Sequence, residues 1–95
     1  MQKIGISFRA RLSADQVREK YIRPLRAAIN DSSAGIYANY LRQADPDAIA
    51  PTEHLLIFEV NDFKEGLRLL RVELEEIGMP DGIQFQNLNP SSPRY

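Results

Sequence analysis

Polar and apolar residues alternate singly at the start of the chain. Ile4, Ile6, Phe8 and Ala10 fall on one side, and Lys3, Gly5, Ser7 and Arg9 on the other. That period of two predicts a half-buried strand over Lys3–Ala10. The period then changes. Val17, Tyr21, Leu25, Ala28 and Ile29 fall on one stripe of a helix. Ser13 with Gln16 three residues on reads as a capping box, with Leu12 and Val17 at the staple positions around it. Pro24 lies inside this pattern. In a helix interior it removes one hydrogen bond and clashes with the carbonyl of Lys20, at a cost of ~3 kcal/mol or more. The helix is therefore expected to kink at Pro24, or to break and restart, and Asn30-Asp31-Ser32-Ser33 ends it.

The stretch AGIYANYLRQ, Ala34 to Gln43, holds a second strand over Gly35–Arg42. Regular alternation puts Tyr37, Asn39 and Leu41 on one face and Ile36, Ala38, Tyr40 and Arg42 on the other. Each set contains a large ring and an aliphatic chain, so neither looks like a plain solvent face. Register decides which set is buried, since a slip of one residue exchanges the two. The connection Gln43–Glu53 exceeds the roughly 2–5 residues of an ordinary hairpin loop. Such extra length often marks function.

HLLIFEV, His54 to Val60, is a near-continuous apolar run and predicts a central strand covered, or nearly covered, on both faces. Asp62 with Glu65 caps a helix over Phe63–Ile77, whose buried stripe is Phe63, Leu67, Leu70, Leu74 and Ile77, widened by Leu69 and Val72. Gly78 suits the residue just past the helix end, and Pro80 forbids its continuation. Asp81-Gly82 turns the chain into a last strand, Ile83–Leu88. Residues 1–88 read as a single domain, and 89–95, rich in proline and serine, as a loosely ordered tail.

The order β-α-β-β-α-β buries both helix stripes in one familiar way. This is an α+β, ferredoxin-like split βαβ sandwich: a four-stranded antiparallel sheet in the order 4-1-3-2, with two helices on one face. Phe8, Leu56, Phe58, Val60 and Phe85 are expected to fill the covered side. Leu55 and Ile57 are then left beside Ser7 and Arg9 on the open side, next to either Tyr37 and Leu41 or Ile36 and Tyr40, with Gln84 and Gln86 at the border. An apolar centre within a polar rim is the anatomy of a binding patch. The Gly35–Arg42 strand is also expected at a sheet edge, which another chain can extend.

Composition narrows the functional classes. Ninety-five residues without cysteine exclude disulfides, thiolate metal sites and cysteine nucleophiles. No apolar stretch has the length of a signal peptide or a membrane span, so a cytoplasmic location is expected. The net charge of −1 speaks against a dedicated nucleic-acid binder. The charge is uneven. Residues 1–47 carry eight basic and five acidic groups, net +3, and residues 48–95 four basic and eight acidic, net −4. Such a dipole can steer a charged partner.

Motifs of catalysis or cofactor binding are not evident. An RNA-recognition motif needs an aromatic-rich third strand, and HLLIFEV holds one aromatic. The glycine-rich phosphate cradle of acylphosphatase-like enzymes is missing, although Arg9 and Arg11 are present. The single histidine, His54, has no nucleophile to pair with and reads as a surface or rim residue at a strand start. Asp45, Asp47, Glu53 and His54 lie close in sequence but lack the spacing and glycine turn of a calcium loop, so no metal and no cofactor is expected. Arg18, Arg23 and Arg26 read as a solvated helix face, with a phosphate-binding stripe as the alternative.

The second half, FEVNDFKEGLRLLRVELEEIGMPDGIQFQ, resembles small bacterial ferredoxin-like proteins of the toxin-immunity type. The likeness lies in an apolar strand, an acidic cap, a leucine helix ending in Ile-Gly-x-Pro, a glycine turn and a short last strand. Gly78, Pro80 and Gly82 carry it. It implies protein binding and transfers no functional residue. The reading that results is a non-enzymatic protein-interaction domain, an immunity- or inhibitor-like protein or a small assembly subunit. It is expected to bind another protein or its own copy through the open sheet face and edge strand, with neither nucleic acid nor membrane as partner. Tyr37, Tyr40, Arg42, Ile57, Asp45 and Asp47 are the expected contacts, because tyrosine and arginine anchor such patches. The alternative is a small-ligand-binding dimeric regulatory module, or a cofactor-free enzyme using the open face as a cleft, with His54, Arg9 or Tyr37 turned into it.

Overall fold

A computed structural model describes residues 2–44 and 50–88. Asp45, Asp47 and the tail 89–95 lie outside the described residues. The chain forms β1 (Gln2–Ala10), α1 (Ala14–Val17), a π-helical segment (Arg18–Ile22), α2 (Arg23–Asp31), β2 (Gly35–Gln43), β3 (Thr52–Val60), α3 (Phe63–Ile77) and β4 (Gln84–Asn87). The strands build one antiparallel sheet in the order β2-β3-β1-β4, which from the β4 edge reads β4-β1-β3-β2. β2 and β4 are its edges.

Local chemistry sets the helix ends. The Ser13 hydroxyl accepts from the Gln16 amide at 3.2 Å, and the Gln16 side chain accepts from the Ser13 amide at 2.8 Å. Two otherwise orphaned donors at the start of α1 are thus satisfied. Pro24 disturbs the helix without interrupting its right-handed course. The chain passes through a π segment, in which the Arg23 amide bonds the Arg18 carbonyl five residues back. It continues directly as α2, with the proline near its start and the junction residues Ile22 and Arg23 both in right-handed helical geometry. Asp62 caps α3 through the Glu65 amide at 3.3 Å, and Gly78, at φ 98°, ends it in a conformation open to glycine.

A single hydrophobic core joins the two layers. It contains Ile4, Ile6 and Phe8 of β1, Leu56, Phe58 and Val60 of β3, Val17, Tyr21, Ile22, Leu25 and Ile29 of the first helical rod, and Leu70 and Leu74 of α3. Both helices therefore cover the same face of the sheet. The molecule is 19 Å thick along its short axis, close to one helix layer and one sheet. Gly66 allows α3 its approach to β3, since a Cβ there would come within 2.6 Å of a Val60 methyl. Three local expectations change. The apolar run of β3 is covered on one face only, because its residues alternate between buried and half-buried. Val72 does not join the buried stripe and is 44% exposed. β2 does not alternate regularly.

The irregularity in β2 is a bulge. Tyr37 pairs with Phe58 and Asn39 with Ile57, so Ala38 is an extra residue without a partner on β3. Beyond it Tyr40 pairs with Leu56, Leu41 with Leu55 and Arg42 with His54. The Tyr40 amide donates to the Asn39 side-chain oxygen at 2.8 Å, which satisfies a donor at the irregularity. Opposed residues of a ladder share a face, so Tyr37 and Tyr40 both lie on the covered side with Phe58 and Leu56. Ile36, Asn39 and Leu41 lie on the open side with Glu59, Ile57 and Leu55. Neither set expected from regular alternation survives; the bulge mixes them.

Deleting Ala38 should therefore leave every other β2 side chain on its present face. We expect the variant to fold with a loss of about 1 kcal/mol, measured by urea denaturation. In an unbulged strand the same deletion would turn every side chain beyond it to the opposite face and cost several-fold more.

Candidate functional site

The sheet face away from the helices is built from the alternate residues of all four strands. Leu55 and Ile57 of β3 lie at its centre, flanked by Ile36 and Leu41 of β2, each 49% exposed. On the β1 side Gly5 makes room for a further apolar group. A Cβ at Gly5 would come to 2.7 Å from one Leu88 methyl and 3.1 Å from a Leu55 methyl. The Leu88 amide donates to the Lys3 carbonyl at 3.1 Å and holds this segment along β1 beyond the end of β4. The apolar strip therefore runs from Ile36 and Leu41 through Leu55 and Ile57 to Leu88.

Polar residues frame that strip. Lys3 faces Glu59 at one end of the β1–β3 ladder and Arg9 faces Glu53 at the other. Arg9 and Glu53 approach to 3.6 Å with both side chains well exposed, a weak, solvated pair. Gln86 donates to the Ser7 hydroxyl at 2.9 Å, which seals the β1–β4 side. At this end Ser7, Arg9, Glu53, Asp81, Gln84 and Gln86 line a cavity of about 220 Å³. Small-molecule sites are usually larger, roughly 300–1,000 Å³.

The covered side of β2 holds the aromatic residues. Tyr37 meets Phe58 edge-on, with ring centroids 5.7 Å apart. Tyr40 stacks on His54 at 5.9 Å, and the Arg18 guanidinium lies 5.8 Å from the Tyr40 ring centre. His54 is fully buried, not a surface or rim residue as its position at a strand start suggests. Its Nε2 lies 3.0 Å from the Ala10 carbonyl, which can only accept, so the proton sits on Nε2. Its Nδ1 then accepts from the Tyr40 hydroxyl at 2.7 Å. Phe8 closes the third side at 5.2 Å. Both ring nitrogens of His54 are thus held by hydrogen bonds within the fold.

Desolvation dominates the electrostatics here. Burial lowers the His54 pKa, opposed by the Ala10 hydrogen bond and assisted by the charge of Arg42. Burial also raises the Tyr37 and Tyr40 phenols, while Arg18 opposes both shifts, with Arg26 at Tyr37 and Arg42 at Tyr40.

Among the expected contacts, then, the structure places Ile57 on the open face. Tyr37 and Tyr40 pack against the core on the helix side, and Arg42 is on that side at the exposed β2 edge. Ile36, Leu41 and Leu88 are the open-face residues that sequence reasoning left unplaced, and only the bulge and the Gly5 notch reveal them. Among the described residues no cluster of three or more metal-ligating side chains forms: Glu53 faces Arg9, and His54 is buried on the other side of the sheet. No helix among them is long and apolar enough to cross a membrane. No protein family, curated protein or solved structure matches the chain.

The neutral His54 sets a pH dependence. Its native pKa lies below the ordinary 6.5, so between the two values the unfolded chain binds a proton that the native state does not. Stability should be full above pH 6.5, fall as the pH drops towards the native value, and level off below it. Urea unfolding of the wild type and of His54→Gln between pH 7.5 and pH 5 checks this. We expect the slope in the wild type and a flat profile in the variant; equal slopes would show that His54 is not the titrating group.

Proposed function

We propose that this chain is a non-enzymatic protein-interaction domain of ferredoxin-like architecture. It binds a protein partner through the open sheet face, and the edge strand β2 extends the contact. The observation that supports this is the strip Ile36–Leu41–Leu55–Ile57–Leu88, an apolar centre within a polar frame on a face that no helix among the described residues covers. The partner is another chain, in the manner of an immunity- or inhibitor-like protein or a small assembly subunit, or a second copy of this one. The order β-α-β-β-α-β and the helices on one face of the sheet agree with the architecture. The paired charges at each end of the strip supply register and orientation more than affinity.

The ligand-cleft alternative calls for His54, Arg9 or Tyr37 turned into the open face. Of the three, Arg9 lies there, His54 and Tyr37 lie on the other side of the sheet, and the cavity beside Arg9 is small. Geometry therefore favours the interaction reading. Of the six expected contacts Ile57 remains central, and Leu41, Leu55 and Ile36 take the places of the tyrosines.

Native mass measurement of the tagged protein, purified gently from its own host, identifies the partner or the homodimer. Leu41→Lys and Ile57→Lys should each weaken the complex by about tenfold or more, because a central buried anchor contributes upward of ~1.4 kcal/mol. Glu75→Lys on α3 should leave it intact. A clean monomer, or a complex indifferent to both open-face variants, would refute the proposal.

A further inference from the structure

The first helical rod and Tyr37 of β2 border an open groove, on the opposite side of the sheet from the apolar strip. It measures about 480 Å³, within the range of roughly 300–1,000 Å³ for small-molecule sites. Ile22, Ala27 and the Tyr37 ring supply apolar wall, and Arg18, Arg23 and Arg26 bring three guanidinium groups to it.

The π segment is what gathers them. On a continuous α-helix Arg23 would stand roughly 140° around the axis from Arg18. Bonding five residues apart brings Arg23 to the rung next to Arg18, and both line the cavity together with Arg26 in α2. π-Bulges recur at functional sites. Charge on this wall is incompletely matched. Arg23 bonds Glu19, which also borders the cavity, at 2.9 Å. Arg18 reaches Asp15 at 3.3 Å, but the Asp15 side chain is 93% exposed and the pair is weak. Arg26 forms no ion pair with another described residue. Arg18 and Arg26 both act on the Tyr37 phenol, so their charge is felt at the cavity wall.

We propose that this cleft binds a small organic phosphate monoester carrying a flat apolar group. The phosphate engages the guanidinium groups of Arg18 and Arg26, with Arg23 beside them, and the apolar group lies against Tyr37, Ile22 and Ala27. Guanidinium forks match phosphate oxygens in pairs, and the adjoining apolar wall distinguishes such a ligand from a free anion.

NMR titration with 1-naphthyl phosphate tests this, with inorganic phosphate and 1-naphthol as separate arms. The arginine Nε signals of Arg18 and Arg26 and the Tyr37 ring signals should shift together and saturate. Affinity should exceed that for either control by about tenfold, since charge-assisted bonds and apolar burial both contribute. Arg26→Gln and Arg18→Gln should each weaken binding about fivefold or more while the remaining amide spectrum stays in place. Leu41→Lys on the open face should leave it unchanged, which separates this site from the proposed protein interface. Several results would overturn the proposal: no saturable shift at millimolar ligand, shifts centred on Leu55 and Ile57, inorganic phosphate binding as tightly as the naphthyl ester, or full affinity in Arg26→Gln.

Discussion

One unpaired residue governs both surfaces of this molecule. Ala38 interrupts the β2–β3 ladder, and every side chain beyond it changes face relative to regular alternation. The consequence is a sorting. Both tyrosines go to the helix side, where one meets Phe58 and the other hydrogen-bonds a buried histidine. Both large aliphatic residues, Ile36 and Leu41, go to the open side. A regular strand would bury one tyrosine with one aliphatic residue and expose the others. The stacked Tyr40–His54 pair then ties the edge strand to the carbonyl at the end of β1, across the width of three strands.

The same sorting separates two kinds of surface. The open face keeps an apolar strip framed by polar groups, the surface proposed for a protein partner. The helix side of β2 keeps aromatic rings beneath arginines, the surface proposed for a small phosphate. Each depends on a second local device. On the open face it is Gly5, whose missing side chain admits Leu88. On the helix side it is the π segment Arg18–Ile22, just before Pro24, which aligns guanidinium groups that an α-helix would spread. Both devices shape a surface as well as the backbone.

Much of the frame was legible because its signals are local. Ser13 with Gln16, Asp62 with Glu65, and Gly78 before Pro80 each specify a helix end within a few residues. The leucine spacing of Phe63–Ile77 gave that helix its bounds. What escaped depends on partners distant in sequence. No glycine marks the bulge at Ala38, and the composition of β2 fits either face. His54 looked peripheral because its neighbours come from Ala10 and Phe8, far back in the chain, and from Tyr40 across the hairpin. Pro24 announced a disturbance in the helix but not its form, since proline removes a donor without dictating how the carbonyls re-pair. The run in β3 suggested two covered faces, because Leu55 and Ile57 are as apolar as Leu56 and Phe58. They remain half-exposed because both described helices pack on the other face of the sheet.

The bulge is tested most directly by proton–proton contacts of the two tyrosine rings in solution. A NOESY spectrum of the unmodified protein should show the Tyr37 ring close to Phe58 and the Tyr40 ring close to both His54 and Leu56. Neither ring should contact Leu55 or Ile57. A cross-peak from either tyrosine ring to Leu55 or Ile57 would mean that β2 alternates regularly there, and that the sorting of its two faces is wrong.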